Sequence, residues 1–171
     1  MKSLLEARLG QFGLTLAEEK THKTHMGART NNKTHERRRL TFPGFTIYRT
    51  RSVGQTAIKT VFQTEGKRYS RAKAALKARL RRMKHEPVEE QVLAINQILR
   101  GHFNYYGIAG NARKLQDFWN FTRQEWKHSL STRSQKGRLT WEAFTALLEK
   151  HPLVRPRIRI PNSRLESYAR L

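Results

Sequence analysis

Between Lys67 and Lys84 the chain carries nine cations and no acid: Lys67, Arg68, Arg71, Lys73, Lys77, Arg79, Arg81, Arg82 and Lys84. The chemistry open to such a run is phosphate neutralisation. On a helix, Lys73, Lys77, Arg81 and Lys84 form a row beside an apolar stripe, with successive members about 5–6 Å apart. Cations that close weaken an isolated helix by a few tenths of a kcal/mol per pair, and counterion release from bound phosphates offsets that repulsion. An ordinary solvated helix face interleaves both signs, so the pattern favours a phosphate-tracking face. A membrane-surface helix would need a broad apolar face, whereas this stripe is narrow and contains alanine.

Two other constellations are weaker. The segment from Gly101 to Gly107, with Phe103, Tyr105 and Tyr106, could stack its rings on unpaired bases. Helical spacing favours packing instead, with Phe103 and one tyrosine in a core. His22, His25 and His35 include an His-x-x-His spacing that metals tolerate, but no cysteine or carboxylate set completes it. Acids are scarce. Asp117 is the only aspartate, and the adjacent pairs Glu18–Glu19 and Glu89–Glu90 have no third acid beside them. Two-metal phosphoryl transfer needs clustered carboxylates. With no nucleophile triad or phosphate-cradling loop either, the residues argue against a complete enzyme. No catalytic residue, metal or cofactor is assigned.

The whole chain repeats the message of that run. Its 171 residues hold 35 Lys and Arg against 13 Asp and Glu, a net charge of +22. So large a surplus is best tolerated beside a polyanion. Three Trp, five Tyr and eight Phe are too many for a disordered basic tail. The absence of cysteine fits a reducing cytoplasm. Glu6 and Arg8 interrupt the first apolar residues too early for a secretory signal, and no apolar run could span a bilayer.

The elements that must position these residues read as mainly α with a small N-terminal β-hairpin. Residues 2–13 predict a short helix closed by Gly13, and the alternation at Leu14 and Leu16 a brief strand. Thr21 to Arg39 reads as a loop. Leu40 to Tyr48, with its Pro43-Gly44 break, pairs with Ala57 to Phe62 as a hairpin. Ala72, Leu76, Leu80 and Met83 mark one helix. Val88, Val92, Ile95, Leu99 and Phe103 mark a second, opened by Pro87 and ending near Gly107. Asn111 is placed as the N-cap of a third, carrying Leu115, Phe118, Trp119, Thr122, Trp126 and Leu130. Thr140 caps a fourth, which His151-Pro152 stops. Leu153 to Pro161 alternates arginine with apolar residues and reads as extended and basic.

Taken in order, these segments resemble the C-terminal portion of bacterial group II intron reverse transcriptase/maturases. Leu9 to Thr21 is similar to the family's stretch near the end of the palm, and Phe42 to Tyr48 to its following hairpin, with Pro43 where leucine is usual. Arg71 to Pro87 resembles the first thumb helix. Asn96 to Asn111, with Gly101, His102, Asn104, Tyr105, Tyr106 and Asn111, resembles the domain X signature. Arg133 to Lys136, Leu139 to Trp141 and Pro156 to Ile158 continue the pattern; Ile160-Pro161-Asn162 departs from it. The family's Tyr-Ala-Asp-Asp-type metal motif does not occur in these residues.

The resemblance implies a palm remnant over 1–65, a three-helix thumb-like bundle (domain X) over 66–133 and a short basic helical or extended region over 134–171, as if from a truncated reading frame. It implies an RNA-binding maturase module that stabilises group II intron RNA while the RNA performs the splicing chemistry. The contacts implied are Lys67, Arg68, Arg71, Lys73, Lys77, Arg81, Arg82 and Lys84, then Arg100, Arg133, Lys136, Arg138, Arg155, Arg157 and Arg159. A DNA or RNA–DNA template–primer duplex and a separate palm-containing polypeptide are further implied partners. Two alternatives stay open: a non-functional remnant of a mobile element, and a general basic nucleic-acid-binding protein.

Overall fold

The computed structural model describes residues 2–17, 19, 39–51, 58–133 and 138–169. A short helix, α1 (Lys2–Gly10), comes first. Its end is set by Gly13, which sits at φ 67 while Leu14 N donates to Leu9 O (3.0 Å) and Gly13 N to Gly10 O (3.1 Å). That is the Schellman pattern, in which glycine takes the left-handed position without a Cβ clash. The strand expected at Leu14 and Leu16 is not formed, and Leu14 is exposed. Alternation alone does not make a strand where no neighbouring strand supplies hydrogen bonds. The loop expected from Thr21 to Arg39, with its three histidines, falls outside the described residues except at Arg39.

Three strands follow, β1 (Leu40–Phe42), β2 (Phe45–Arg51) and β3 (Ile58–Thr64), antiparallel in the order β1-β2-β3. The expected hairpin is the β2–β3 pair, in register from Phe45↔Thr64 to Arg51↔Ile58. The Pro43-Gly44 break adds a second, tighter hairpin: Phe42 faces Phe45 across it, and Gly44 sits at φ 86. Proline followed by a glycine of positive φ is the signature of a type II turn.

The rest is helical: α2 (Gly66–Arg82), α3 (Val88–Tyr106), α4 (Ala112–Ser131), α5 (Trp141–Lys150) and α6 (Asn162–Ala169). The first three pack as a bundle around the predicted stripes. Leu76, Leu80 and Met83 meet Val92, Ile95, Leu99 and Phe103, and Leu115, Phe118 and Trp126 close the core, which Phe144 and Leu153 extend. Glu89 and Glu90 lie in the first turn of α3 and Arg79, Arg81 and Arg82 in the last turn of α2, each suited to the helix dipole at its end. Thr140 caps α5 as expected, its Oγ1 accepting from Ala143 N at 3.2 Å. No helix among the described residues is long and apolar enough to cross a membrane.

Buried polar side chains lock the joints between these elements. Gln91, fully buried on α3, donates from Nε2 to Met83 O (2.8 Å) and Glu86 O (3.0 Å), and its Oε1 accepts from Trp126 Nε1 (2.9 Å). One amide thus fixes the α2–α3 turn and ties it to α4. Asn96 accepts from Val154 N (2.8 Å) and donates to Pro152 O (3.0 Å), seating the segment after α5. Asn111 stands at the N-cap position of α4 but makes no side-chain cap. Its Oδ1 accepts from Thr64 N (3.0 Å), and its Nδ2 donates to Thr64 Oγ1 (2.8 Å) and Tyr106 O (2.9 Å). The capping role read from sequence is therefore replaced by a joint between sheet and bundle, where a buried strand end has the stronger need for partners.

Candidate nucleic-acid interface

The α2 helix presents its core residues Tyr69, Leu76 and Leu80 on one side. At 100° per residue the opposite side carries Lys67, Arg71, Ala74, Ala78, Arg81 and Arg82, all exposed. No acid pairs with these four cations among the described residues, and the alanines leave the centre of the face without bulk. A polyphosphate could therefore approach close to the helix with cations on both flanks.

The row read from sequence divides differently. Lys77 turns towards α4 and pairs with Glu125 at 3.2 Å. Lys73 lies 5.0 Å from the Tyr69 ring and 5.1 Å from that of Phe121, held by cation–π attraction. These two are half-buried in the α2–α4 seam, Lys84 is half-buried after the helix, and Arg81 alone of the row faces solvent. Arg68 is exposed but approaches Glu65 at 3.9 Å.

The other predicted contacts scatter over several elements. Arg155, Arg157 and Arg159 are exposed along an extended segment. Arg159 N (2.6 Å) and Ile160 N (3.0 Å) both donate to Gly107 O, and Ile160 O accepts from Ala109 N. A Cβ on Gly107 would press on Phe103 O and stand 2.9 Å from Arg157 O, so this crossing requires glycine. Arg100 is exposed and lines a groove of about 540 Å³ with Leu93, Asn96 and Lys150. Arg133 donates from Nη2 to Glu86 O at 2.6 Å, which gives it a structural use at the α2–α3 turn. Arg138 is exposed just before α5, and Lys136 lies outside the described residues.

The signature around Gly101 serves packing. Tyr105 donates its hydroxyl to Pro43 O (2.6 Å) and stacks on Phe45 at 5.8 Å. Tyr106 meets Phe45 edge-on at 5.2 Å, with its hydroxyl against Gly44. Both tyrosines thus clasp the β1–β2 turn. Asn104 and Gly101 face solvent, and nothing would obstruct a Cβ at Gly101.

His102 is buried and stacks on Phe118 at 4.0 Å. Burial lowers its pKa from 6.5 to about 4. The folded state therefore binds this proton less readily than the unfolded state. The stability it contributes is complete above about pH 6.5 and is lost as pH falls towards 4. At 1.36 kcal/mol per unit the difference of 6.5 − 4 amounts to about 2–3 kcal/mol after allowance for partial solvation. Denaturant unfolding at about pH 7 and about pH 4.5 should reveal that loss. A His102→Phe variant should remove this part of it, and an undiminished loss in the variant would assign the effect to other groups.

One feature escaped the sequence reading. The guanidiniums of Arg155 and Arg123 lie 4.3 and 4.7 Å from the Trp119 ring, and Lys127 and Arg123 lie 4.9 and 5.9 Å from that of Trp141. Cations and indoles alternate across α4, α5 and the extended segment. The signal was the spacing Trp119, Arg123, Lys127, one helical turn at each step. Among the described residues no group of three or more His, Asp or Glu could hold a metal ion.

The fold and this surface define a basic helical bundle with a small antiparallel sheet clasped to it. Residues 69–145 match the family model of the group II intron, maturase-specific domain, a span running from α2 into α5. The match supports the chain's resemblance to the C-terminal portion of a group II intron maturase. No curated protein and no solved structure matches the chain.

Proposed function

We propose that the chain is an RNA-binding maturase module that binds group II intron RNA and stabilises its splicing-competent fold. The observation that carries this reading is the cationic face of α2 formed by Lys67, Arg71, Arg81 and Arg82, none paired with an acid among the described residues and all but Lys67 within the matched span. Structured RNA is recognised mainly through shape, backbone phosphates and 2′-hydroxyls, and a helix with exposed cations around a low alanine centre suits such contacts. Arg100, Arg138, Arg155, Arg157 and Arg159 extend the track. In domain terms, residues 1–65 derive from a polymerase palm, 66–133 form the thumb/domain X unit, and 134–171 form the basic C-terminal region. Phe144 and Leu153 join that last region to the bundle core. The same surface could hold a template–primer duplex, and a palm-containing polypeptide is a candidate partner. The setting is the cytoplasm, in keeping with a cysteine-free chain.

The test is splicing of a group II intron at a magnesium concentration too low for the RNA alone. Added protein should restore splicing. RNA that is bound yet never spliced faster would reduce the module to a general basic binder or an inactive remnant.

A further inference from the structure

Beside Trp141 a cavity of about 310 Å³ opens between α4, α5 and the residues before α5. Trp141 is 47% exposed, whereas Trp119 and Trp126 are buried. Lys127 and Arg138 line the same cavity, with Gln124 and His128 along its α4 side, and among the described residues no carboxylate lines it. Glu142 feels the charge of Lys127 but stands outside the lining. The cavity thus combines a flat aromatic surface, two cations, and amide and imidazole groups able to hydrogen-bond.

We propose that this cavity takes one unpaired nucleotide of a bound RNA, its base stacked on Trp141 and its phosphates neutralised by Lys127 and Arg138. The inference rests on the RNA-binding reading above and adds to it a site for a single splayed base. Three observations point to a nucleotide. A volume near 300 Å³ is at the small end of ligand pockets. A half-exposed indole is the platform on which bases stack whatever their identity. The lining is polar and cationic, which suits a nucleotide better than an apolar side chain. Lys127 and Arg123 already lie near the indole, and both come from α4 one turn apart, so that helix flanks the ring with positive charge. Gln124 and His128 are placed to meet the edge of the base with donors and acceptors.

The test uses the full chain with a short single-stranded RNA and with the blunt duplex of the same length. Trp141 is the exposed indole, so single-stranded RNA should quench tryptophan fluorescence, and Trp141→Ala should abolish the quenching. Trp141→Ala should also weaken single-strand binding about 5- to 100-fold and leave duplex binding within about twofold. Trp141→Phe keeps a flat ring against Phe144 and should recover most of the affinity, which separates stacking from a failure to fold. Equal losses on single strand and duplex, or no loss on either, would overturn the proposal. Those results would leave the maturase reading standing if folded intron RNA is still bound. Failure to bind any RNA would instead overturn the reading on which this one rests.

Discussion

Alanine at Lys67, Arg71, Arg81 and Arg82 together is expected to lower affinity for intron RNA by on the order of a hundredfold or more. Each phosphate neutralised by a cation contributes about 0.7–0.9 to the slope of log K against log salt. Losing four such contacts should flatten that slope by about 3. The four side chains are exposed, and none is paired with an acid among the described residues, so the fold should not change. Lys73 and Lys77 make poorer probes, because both join α2 to α4 through Tyr69, Phe121 and Glu125. Their removal would mix stability with binding. Salt-dependent binding of the quadruple variant decides the point. An unchanged slope would make the α2 face ordinary solvated surface.

The second large effect is on stability. Gln91→Ala should destabilise the protein by about 3–4 kcal/mol, because it strands Trp126 Nε1 and Met83 O in a dry core. For a chain of this size that is a drop of roughly 10 °C in melting temperature. Gln91→Met, which keeps the length but not the hydrogen bonds, should lose nearly as much. An exposed control, Gln116→Ala on α4, should change stability by less than about 0.5 kcal/mol. If Gln91→Met melts with the wild type, volume rather than hydrogen bonding holds the α2–α3 turn. Thermal and denaturant melts of the three variants are sufficient.

Much of this architecture was legible in the residues because apolar periodicity reports burial directly. The stripes of α2, α3 and α4 occupy the core as read, and Thr140 caps α5 where a hydroxyl before a helical pattern should. The preference for packing over base stacking at Phe103 and Tyr106 also agrees with their contacts. What could not be read was the destination of polar side chains. Gln91, Asn96 and Asn111 look like surface residues in a list, and only tertiary structure reveals the carbonyls and amides that they satisfy. Asn111 is the instructive case: its type and position fit an N-cap, but Thr64, 47 residues earlier in the chain, claims its amide.

The cationic row failed to stay together for a similar reason. A helical wheel places Lys73 and Lys77 beside the stripe but says nothing of the helix that lies against that edge. Once α4 occupies it, Glu125 and Phe121 take those two cations, and the solvent face shifts to Lys67, Arg71, Arg81 and Arg82. The indole of Trp141 was visible only as one residue of a familiar pattern. Its cavity depends on α4 and α5 meeting, which no local spacing encodes.

The most direct test of the account is binding of the full chain to a folded group II intron RNA at two salt concentrations, against excess unstructured RNA and duplex DNA. Binding should weaken with salt yet survive both competitors if the proposed module recognises RNA architecture as well as charge. Binding that either competitor abolishes would contradict it and leave a basic surface without recognition.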